Sequence, residues 1–395
     1  MSSNRSMTIL SFAALVCLLA WSAAARAEEA KPAAGAKPAG EAKPAGEAKP
    51  AGEAEAPVKA EPAPEEAEYR LHMRGAKEAY QKGDFARAEA ESALAVKMAE
   101  TFAAPDDRLI TALEKQSMIF TVQQKFAQAE APARRMVEAC EKIKGAESPA
   151  VAAALNNLGA IVKSEGKLAD AETIYKRALA IVEKSPEARG TAPGMILSNL
   201  AELYRDQGKL AEAEQTVKRA IAILEKSAGP GQYYLTESLH VLGTIYTAGK
   251  KHAEALAAHQ RAYDLRRKTL FWNRPVMMQS LTYMADAVKA ADKFAEAEPL
   301  YKQALALGQE SLAPTDPRLL PTLEGYADLL RKLKRDDEAK ALEARAGEIK
   351  GTPAPATPSA PAPSAPAPPA APAPATPSAP ATPAPPAPSA PGAGK

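Results

Sequence analysis

The chain has 395 residues, with 50 basic and 48 acidic side chains and a formal net charge of +2 at pH 7. This balance, without a basic stripe in any segment, argues against nucleic acid or an anionic lipid surface as the main partner. The only cysteines are Cys17 and Cys140, so a disulfide framework is excluded and stability must come from packing.

The first 27 residues are organised like an export signal. Arg5 supplies positive charge, residues 7–20 are apolar, and Ala25-Arg26-Ala27 forms an Ala-x-Ala cleavage site. We therefore expect cleavage after Ala27 and a periplasmic or secreted protein. The alternative is an uncleaved segment that anchors the protein in a membrane, because its apolar run approaches the roughly 20 residues that span a bilayer.

Two segments of biased composition flank the central part of the chain. Residues 28–68 repeat Lys-Pro-Ala-Gly-Glu-Ala, and residues 351–395 are almost only Pro, Ala, Ser and Thr. Neither segment has enough large apolar side chains to offset the entropy lost on ordering, so we expect both to be disordered. The C-terminal tail is expected to be an extended, polyproline-II-rich spacer. The folded region is then residues 69–350.

The folded region repeats itself every 42 residues. The segment "KLADAETIYKRALAIVEK" at 167–184 returns as "KLAEAEQTVKRAIAILEK" at 209–226. A leucine column recurs at Leu113, Leu155, Leu197, Leu239, Leu281 and Leu323. An alanine column recurs at Ala88, Ala129, Ala171, Ala213, Ala255, Ala297 and Ala339. A fixed period of this size indicates an array of structural repeats.

Each repeat is predicted to contain two antiparallel helices. Leu155, Leu158 and Val162 share one helical face, and a second face starts at Ala171 after the turn at Gly166. One pair cannot bury both of its apolar faces, but stacked pairs can. We therefore predict an all-α solenoid of about seven helix pairs, with units at about 69–102, 108–144, 150–184, 192–226, 234–268, 276–310 and 318–350.

Two further columns constrain the backbone. A small-residue column, which allows close approach of the two helices, contains Ala76, Ser117, Gly159, Ala201, Gly243, Ala285 and Ala327. A turn column contains Gly83, Gln124, Gly166, Gly208, Lys250, Asp292 and Lys334. Glycine is thus favoured at the turn without being mandatory.

These residues resemble the tetratricopeptide repeat. The shared features are the Leu-Gly or Leu-Ala pair of the first helix, as in Leu158-Gly159, the tyrosine that follows it at Tyr204 and Tyr246, the turn glycine and the second-helix alanine. The 42-residue spacing is most similar to the kinesin-light-chain-like subclass and also resembles bacterial exported arrays. The resemblance implies a right-handed superhelix whose concave groove binds peptides or proteins.

Motifs for catalysis or metal binding are missing from the sequence. It contains no HExxH, CxxC, P-loop or Gly-x-Ser-x-Gly string. Of four histidines, only His252 and His259 are spaced to share a helical face, and packing or surface roles suit them better than metal ligation. We therefore expect no enzymatic activity, no cofactor and no metal.

The first helix of each unit lines the groove in the family that the sequence resembles. Counted from the leucine column, the groove-facing residues are the first, fifth, eighth and ninth after it, with amides beside them. The candidate partner-binding residues are Asn156, Asn157, Lys163, Asn199, Glu202, Arg205, Asp206, His240, Asp286 and Lys289. The alternative for each is an ordinary solvated helix position. Trp272, between units five and six, is a candidate aromatic anchor or a plug against the next helix pair.

The expected function is a non-catalytic scaffold that binds a protein or peptide in its groove. A structural role in the cell envelope is the alternative, in which the protein self-associates or is tethered to the cell wall through its Pro/Ala-rich tails. Contact with a membrane is expected only if the signal remains uncleaved. Concentration-dependent oligomers would favour the structural role.

Overall fold

A computed structural model describes residues 64–102, 106–185, 190–227, 231–268 and 273–351. These residues form fourteen α-helices and no β-strand, and the helices fall into seven consecutive pairs, numbered here as units one to seven. The pairs are α1 (Pro64–Gln81) and α2 (Phe85–Thr101), α3 (Asp107–Val122) and α4 (Phe126–Lys144), α5 (Pro149–Ser164) and α6 (Leu168–Lys184), α7 (Ala192–Asp206) and α8 (Leu210–Leu224), α9 (Gly231–Ala248) and α10 (His252–Lys268), α11 (Arg274–Ala290) and α12 (Phe294–Ser311), and α13 (Leu320–Lys332) and α14 (Asp336–Gly351). Each helix packs against the next along the chain, which confirms the all-α repeat solenoid.

The first helix begins earlier than composition suggested. It starts at Pro64, ahead of the expected boundary at Tyr69. Proline suits the first turn, where its missing N–H has no helical acceptor, and two glutamates complement the N-terminal end of the helix dipole. One of them, Glu66, pairs with Arg108 of unit two. The last residues of the predicted linker are therefore helical, while the signal, the rest of the linker and the C-terminal tail lie outside the described residues.

The two columns that define the period form the centre of the core. No leucine of the leucine column is more than 3% exposed, and every alanine of the alanine column is fully buried. Each buried leucine contributes about 1.5–3 kcal/mol relative to an exposed one. The small alanine side chains let the second helix approach the first helix of its own unit.

All seven residues of the turn column have the left-handed backbone conformation, with φ between 57° and 82°. In unit three, the N–H of Gly166 bonds to the carbonyl of Lys163 and the N–H of Lys167 bonds to that of Val162. These bonds satisfy the last carbonyls of α5 and redirect the chain into α6. Glycine adopts this conformation freely, whereas Lys250 and the other non-glycine residues of the column hold it at a cost.

Ion pairs on the outside connect the second helices of successive units in two series. The first series joins a basic residue before each second helix to the preceding unit, in Lys125–Glu89, Lys167–Glu130, Lys209–Glu172, Lys251–Glu214 and Arg335–Glu298. The second series comprises Arg135–Glu100, Arg177–Glu141, Arg219–Glu183 and Arg261–Glu225. Both series are interrupted between units five and six. There Leu256 stands in place of the glutamate of the first series, and Gln303 stands in place of the arginine of the second series.

The apolar core also changes at this junction. One cluster of buried apolar side chains runs from Tyr69 in unit one to Ala262 in unit five. The buried apolar residues of units six and seven form two other clusters, which unit five touches through half-buried Leu256 and Tyr263. The array is therefore continuous in helix order, but the chemistry of its units-five-to-six junction differs from that of the others.

Candidate partner-binding face

The first helices of units three to seven contact one another in succession, from α5 through α7, α9 and α11 to α13. The second helices of neighbouring units are farther apart and are linked mainly by the long side chains of the two ion-pair series. In a solenoid, the layer whose helices lie closer together is on the inside of the curve. We call the solvent-facing side of this inner layer the first-helix face.

In units three to six, the residue just after the column leucine is buried at the seam between units. Asn156 and His240 are 1% and 2% exposed, and Ser198 and Thr282 are also buried. Three of the four bond to the next first helix, through Ser198–Ser238 at 2.6 Å, His240–Ser280 at 3.1 Å and Thr282–Thr322 at 2.7 Å. This position therefore joins neighbouring units instead of lying open in the groove.

Charged residues at the fifth and eighth positions form a second connection across the first-helix face. Lys163 donates to Glu202 at 2.7 Å, Arg205 donates to Thr244 at 2.8 Å, and Lys289 lies 3.1 Å from Asp328. Each contact joins the eighth position of one unit to the fifth position of the next. The corresponding residue of unit five is Thr247, whose hydroxyl bonds inside its own helix, so this series also skips the units-five-to-six junction.

The charges in units three and four compensate one another. Lys163 contacts both Glu202 and Asp206, and Arg205 donates to Asp206 at 2.8 Å. Burial by itself would raise the pKa of Glu202, but the Lys163 and Arg205 cations outweigh it and the pKa is lowered. Glu202 is therefore ionised at neutral pH, and the four residues carry no net charge.

Two amide atoms beside these charges have no hydrogen-bond partner in the described structure. Asn199 donates to the carbonyl oxygen of Asn156 at 2.8 Å, which leaves the buried Nδ2 of Asn156 without an acceptor. The buried Oδ1 of neighbouring Asn157 lacks a donor. Buried polar atoms are nearly always paired. Both side chains are almost fully buried, so a ligand can complete the bonding of this donor and this acceptor only where the amides turn toward the first-helix face.

The structure brings most of the candidate residues together. Seven of them lie on α5 and α7. Asn199 pairs with Asn156, Lys163 pairs with Glu202 and Asp206, and Arg205 pairs with Asp206. Asn157 follows Asn156 on α5. Asp286 and Lys289 lie apart from them on α11, 3.4 Å from each other. His240 lies in the interior between units five and six, and Trp272 lies outside the described residues.

Several partners of these residues lie outside the candidate set. Asp328 accepts from Lys289, Thr244 accepts from Arg205, and the hydroxyl of Tyr301 donates to Asp286. The count from the leucine column already places Thr244 at the fifth position of unit five, and extending it to unit seven identifies Asp328. No such rule points to Tyr301, because it comes from a second helix.

Three further features of the described part of the chain concern metal ligands, membrane spans and the remaining cysteine. Within it, no three His, Cys, Asp or Glu side chains are grouped closely enough to hold a metal ion. None of its helices has the length and apolar character needed to cross a bilayer. Cys140 is buried in the core of units two and three.

Two repeat families match the sequence. Residues 74–285 match the family described as the MalT-like TPR region, and residues 276–350 match a tetratricopeptide repeat family. Comparison with curated proteins returns no match.

Solved structures resemble the chain at low sequence identity. The apo form of RapI has 12% identity and a TM-score of 0.55 over 72% of this chain and 98% of its own. A STAND signal-transduction ATPase with a tetratricopeptide repeat sensor, from Pyrococcus horikoshii, has 13% identity and a TM-score of 0.51 over 72% of this chain and 42% of its own. A putative kinesin light chain with nearly identical TPR-like repeats, from Podosopora anserina, has 21% identity and a TM-score of 0.43 over 53% of this chain and 98% of its own.

The seven stacked helix pairs and the 42-residue register agree with the two family matches. A single family match, over residues 74–285, covers more than half of the 395 residues. The chain therefore belongs to the tetratricopeptide repeat family.

Proposed function

We propose that the chain is a non-catalytic scaffold that binds an extended segment of a partner protein along its first-helix face. The tetratricopeptide fold is a protein-interaction fold, and the chain belongs to that family. The observation that supports the position of the site is the unmatched amide pair of α5, Asn156 Nδ2 and Asn157 Oδ1. An extended peptide offers a carbonyl and an N–H from its main chain, which are the acceptor and donor that this pair lacks.

The charge balance around the amides bears on the class of partner. Lys163, Arg205, Glu202 and Asp206 are already paired with one another. A strongly charged segment would have to break these pairs, and the gain would be offset by the loss. We therefore propose a segment of low net charge, recognised mainly through its main chain.

The proposal is tested by selecting peptides from a random library displayed on phage and measuring their affinity by fluorescence anisotropy. Asn156→Ala combined with Asn157→Ala removes two hydrogen bonds, each contributing about 0.5–1.5 kcal/mol. The expected loss is about tenfold in affinity for every selected peptide. Circular dichroism of the variant must match that of the parent, so that the loss is attributable to the site.

Gln215→Ala is the matched control, because it removes an exposed amide from the second helix α8. It should leave every affinity unchanged. If the selection yields no peptide, or if Gln215→Ala weakens binding as much as the α5 variant does, the proposed site is refuted.

The proposal includes the expected location of the protein. A scaffold cleaved after Ala27 would act in the periplasm or outside the cell, and mass spectrometry of the mature N-terminus tests this. Sedimentation at increasing concentration separates the scaffold from the structural alternative, because only the self-associating protein would form larger species as concentration rises.

A further inference from the structure

Units five and six meet across a cluster of buried polar and ionisable side chains. The junction cluster consists of Glu237 and His240 on α9, His259 and Arg266 on α10, and Ser280 and Tyr283 on α11. All are buried except half-buried Tyr283. One period earlier, unit four has Met195, Ser198, Val217 and Leu224 at the positions of Glu237, His240, His259 and Arg266. Unit five thus has ionisable groups at four positions that carry none in unit four.

Hydrogen bonds connect the three helices through the junction cluster. The Nδ1 atoms of His240 and His259 lie 3.0 Å apart, and His240 Nε2 lies 3.1 Å from Ser280 Oγ. Arg266 donates to Ser280 Oγ at 2.6 Å, to the carbonyl of Val276 at 3.0 Å, and to Glu237. These bonds tie α9 and α10 of unit five to α11 of unit six.

Connections found at several other junctions are missing from the described part of this one. Both outer ion-pair series and the charge series of the first-helix face skip it, and the main apolar cluster ends in unit five. The described contacts that join the two units include the junction cluster, the ring contacts of His240 and His259 with Tyr283, and the contacts of half-buried Leu256 and Tyr263.

The contact between the two imidazoles sets a limit on their protonation. One Nδ1 must donate and the other must accept, so at least one ring has to be neutral. If both rings were imidazolium ions, two N–H groups would point at each other. An added proton would also leave a net positive charge, because Arg266 and Glu237 already cancel.

Charged residues on the surrounding helices do not neutralise the positive charge that an added proton would bring. From α7, Glu202 and Arg205 face the junction cluster, but each is already paired, with Lys163 and Asp206 respectively. Burial lowers the pKa of His259 to about 3, and burial together with Arg266 lowers the pKa of His240 well below its usual value. Both histidines are therefore neutral while the junction is closed.

We propose that the junction between units five and six is a proton-sensitive articulation, at which protonation of His240 and His259 loosens units six and seven from units one to five. Histidine in open, solvated chain takes up a proton near pH 6.5, whereas the closed junction does not. The open form therefore binds more protons below pH 6.5, and the stability of the junction falls as the pH falls from 6.5 toward 3.

The other junctions should stay closed in this range. Four carboxylates on the second helices have their pKa values lowered to about 2, chiefly because each accepts a hydrogen bond from a lysine. The pairs are Lys167–Glu130, Lys176–Glu172, Lys218–Glu214 and Lys302–Glu298. The first joins two units, and the other three carboxylates also pair with the next unit, through Lys209, Lys251 and Arg335. These carboxylates remain ionised at pH 5. Loss of structure at that pH is thus expected to be confined to the one junction that relies on histidine.

Hydrogen exchange of the full chain at pH 7.5 and pH 5, corrected for intrinsic exchange rates, tests the proposal. Each histidine that titrates only on opening raises the opening equilibrium constant by up to tenfold per pH unit below 6.5. We expect amides of α11 to lose at least tenfold in protection at pH 5, while amides of α7 keep theirs. Equal losses in α7 and α11, or no loss in α11, would overturn the proposal.

Variants that copy other units identify the groups responsible. His240→Asn with His259→Tyr reproduces the pair Asn156 and Tyr175 of unit three and should make α11 protection independent of pH. His240→Ser with His259→Val, which copies unit four, is the second variant if the first is not helical at pH 7.5. His252→Gln, outside the junction cluster, should keep the parent's pH dependence. Acid sensitivity that persists in a folded double variant would refute the role of the histidine pair.

Discussion

Adding a single methyl group at Gly159 should destabilise the array, even though alanine is a better helix former than glycine. A Cβ built at this position would lie 2.7 Å, 2.9 Å and 3.0 Å from three ring atoms of Tyr175. Ordinary carbon contacts begin at about 3.5 Å, so the ring would have to move by nearly 1 Å. Tyr175 is only 1% exposed, so its ring is enclosed by the core and cannot move aside into solvent.

The magnitude follows from two opposing effects. Overpacking a well-filled core costs about 1–3 kcal/mol, and a displacement of this size in a rigid aromatic ring belongs at the upper end. Replacing glycine by alanine inside a helix recovers about 1 kcal/mol. We therefore expect Gly159→Ala to lower the free energy of unfolding by about 2 kcal/mol, measured by urea unfolding followed by circular dichroism.

Two comparisons isolate the steric effect. Gly347→Ala in α14 is the control, because a Cβ there meets nothing within 4 Å, and it should raise stability by up to about 1 kcal/mol. Unit four pairs Ala201 with Val217 at the equivalent positions, so adding Tyr175→Val to Gly159→Ala should restore part of the loss. The double-mutant cycle should give a favourable coupling of about 1–2 kcal/mol. If Gly159→Ala were as stable as the parent, the close contact with Tyr175 would not be the reason for glycine at this position. The same would follow if the effects of Gly159→Ala and Tyr175→Val on the free energy of unfolding were additive.

Other substitutions address the turn column, the junction cluster and the outer ion pairs. Lys250→Gly should raise the free energy of unfolding by up to about 1 kcal/mol, seen as a higher thermal midpoint, because φ is 57° at this residue. Arg266→Leu should cost about 3–5 kcal/mol in urea unfolding, since it leaves Glu237 buried without its cation, and adding Glu237→Met to copy unit four should recover most of the loss. A hydrogen bond from Lys218 is the largest of the effects that lower the pKa of Glu214 from 4.5 to about 2, so its contribution is complete above pH 4.5 and is lost as the pH falls toward 2. Glu214→Gln should therefore flatten acid unfolding in that window at low salt and have little effect at high salt, where surface pairs are screened.

The repeat register was enough to predict the fold. A leucine or alanine that returns every 42 residues occupies the same place in every helix pair, and all members of these columns are buried. The turn column was equally legible, since all seven of its members take the left-handed conformation, including Lys250 and Asp292. Such features depend on contacts inside a unit and with its nearest neighbours. The residues that make these contacts therefore recur in every repeat of the sequence.

The candidate site could be predicted from the sequence only in part. Counting from the leucine column located Lys163, Glu202 and Arg205 on the first helices, and the structure places them in contact with one another and with the next unit. The same count placed His240 in the groove, yet the structure buries it at the seam with Ser280. Helical periodicity gives the direction of a side chain on its own helix, but it does not say whether the neighbouring unit covers that direction.

The special character of the units-five-to-six junction became visible only in three dimensions. Glu237, His240, His259 and Arg266 are separated along the sequence and look like ordinary polar helix residues, but the packing of α9, α10 and α11 brings them into one buried network. The repeated local pattern therefore determines which helices form and how they pair. The relative placement of whole helices decides which polar groups lose contact with water, and with it their charge state and their partners.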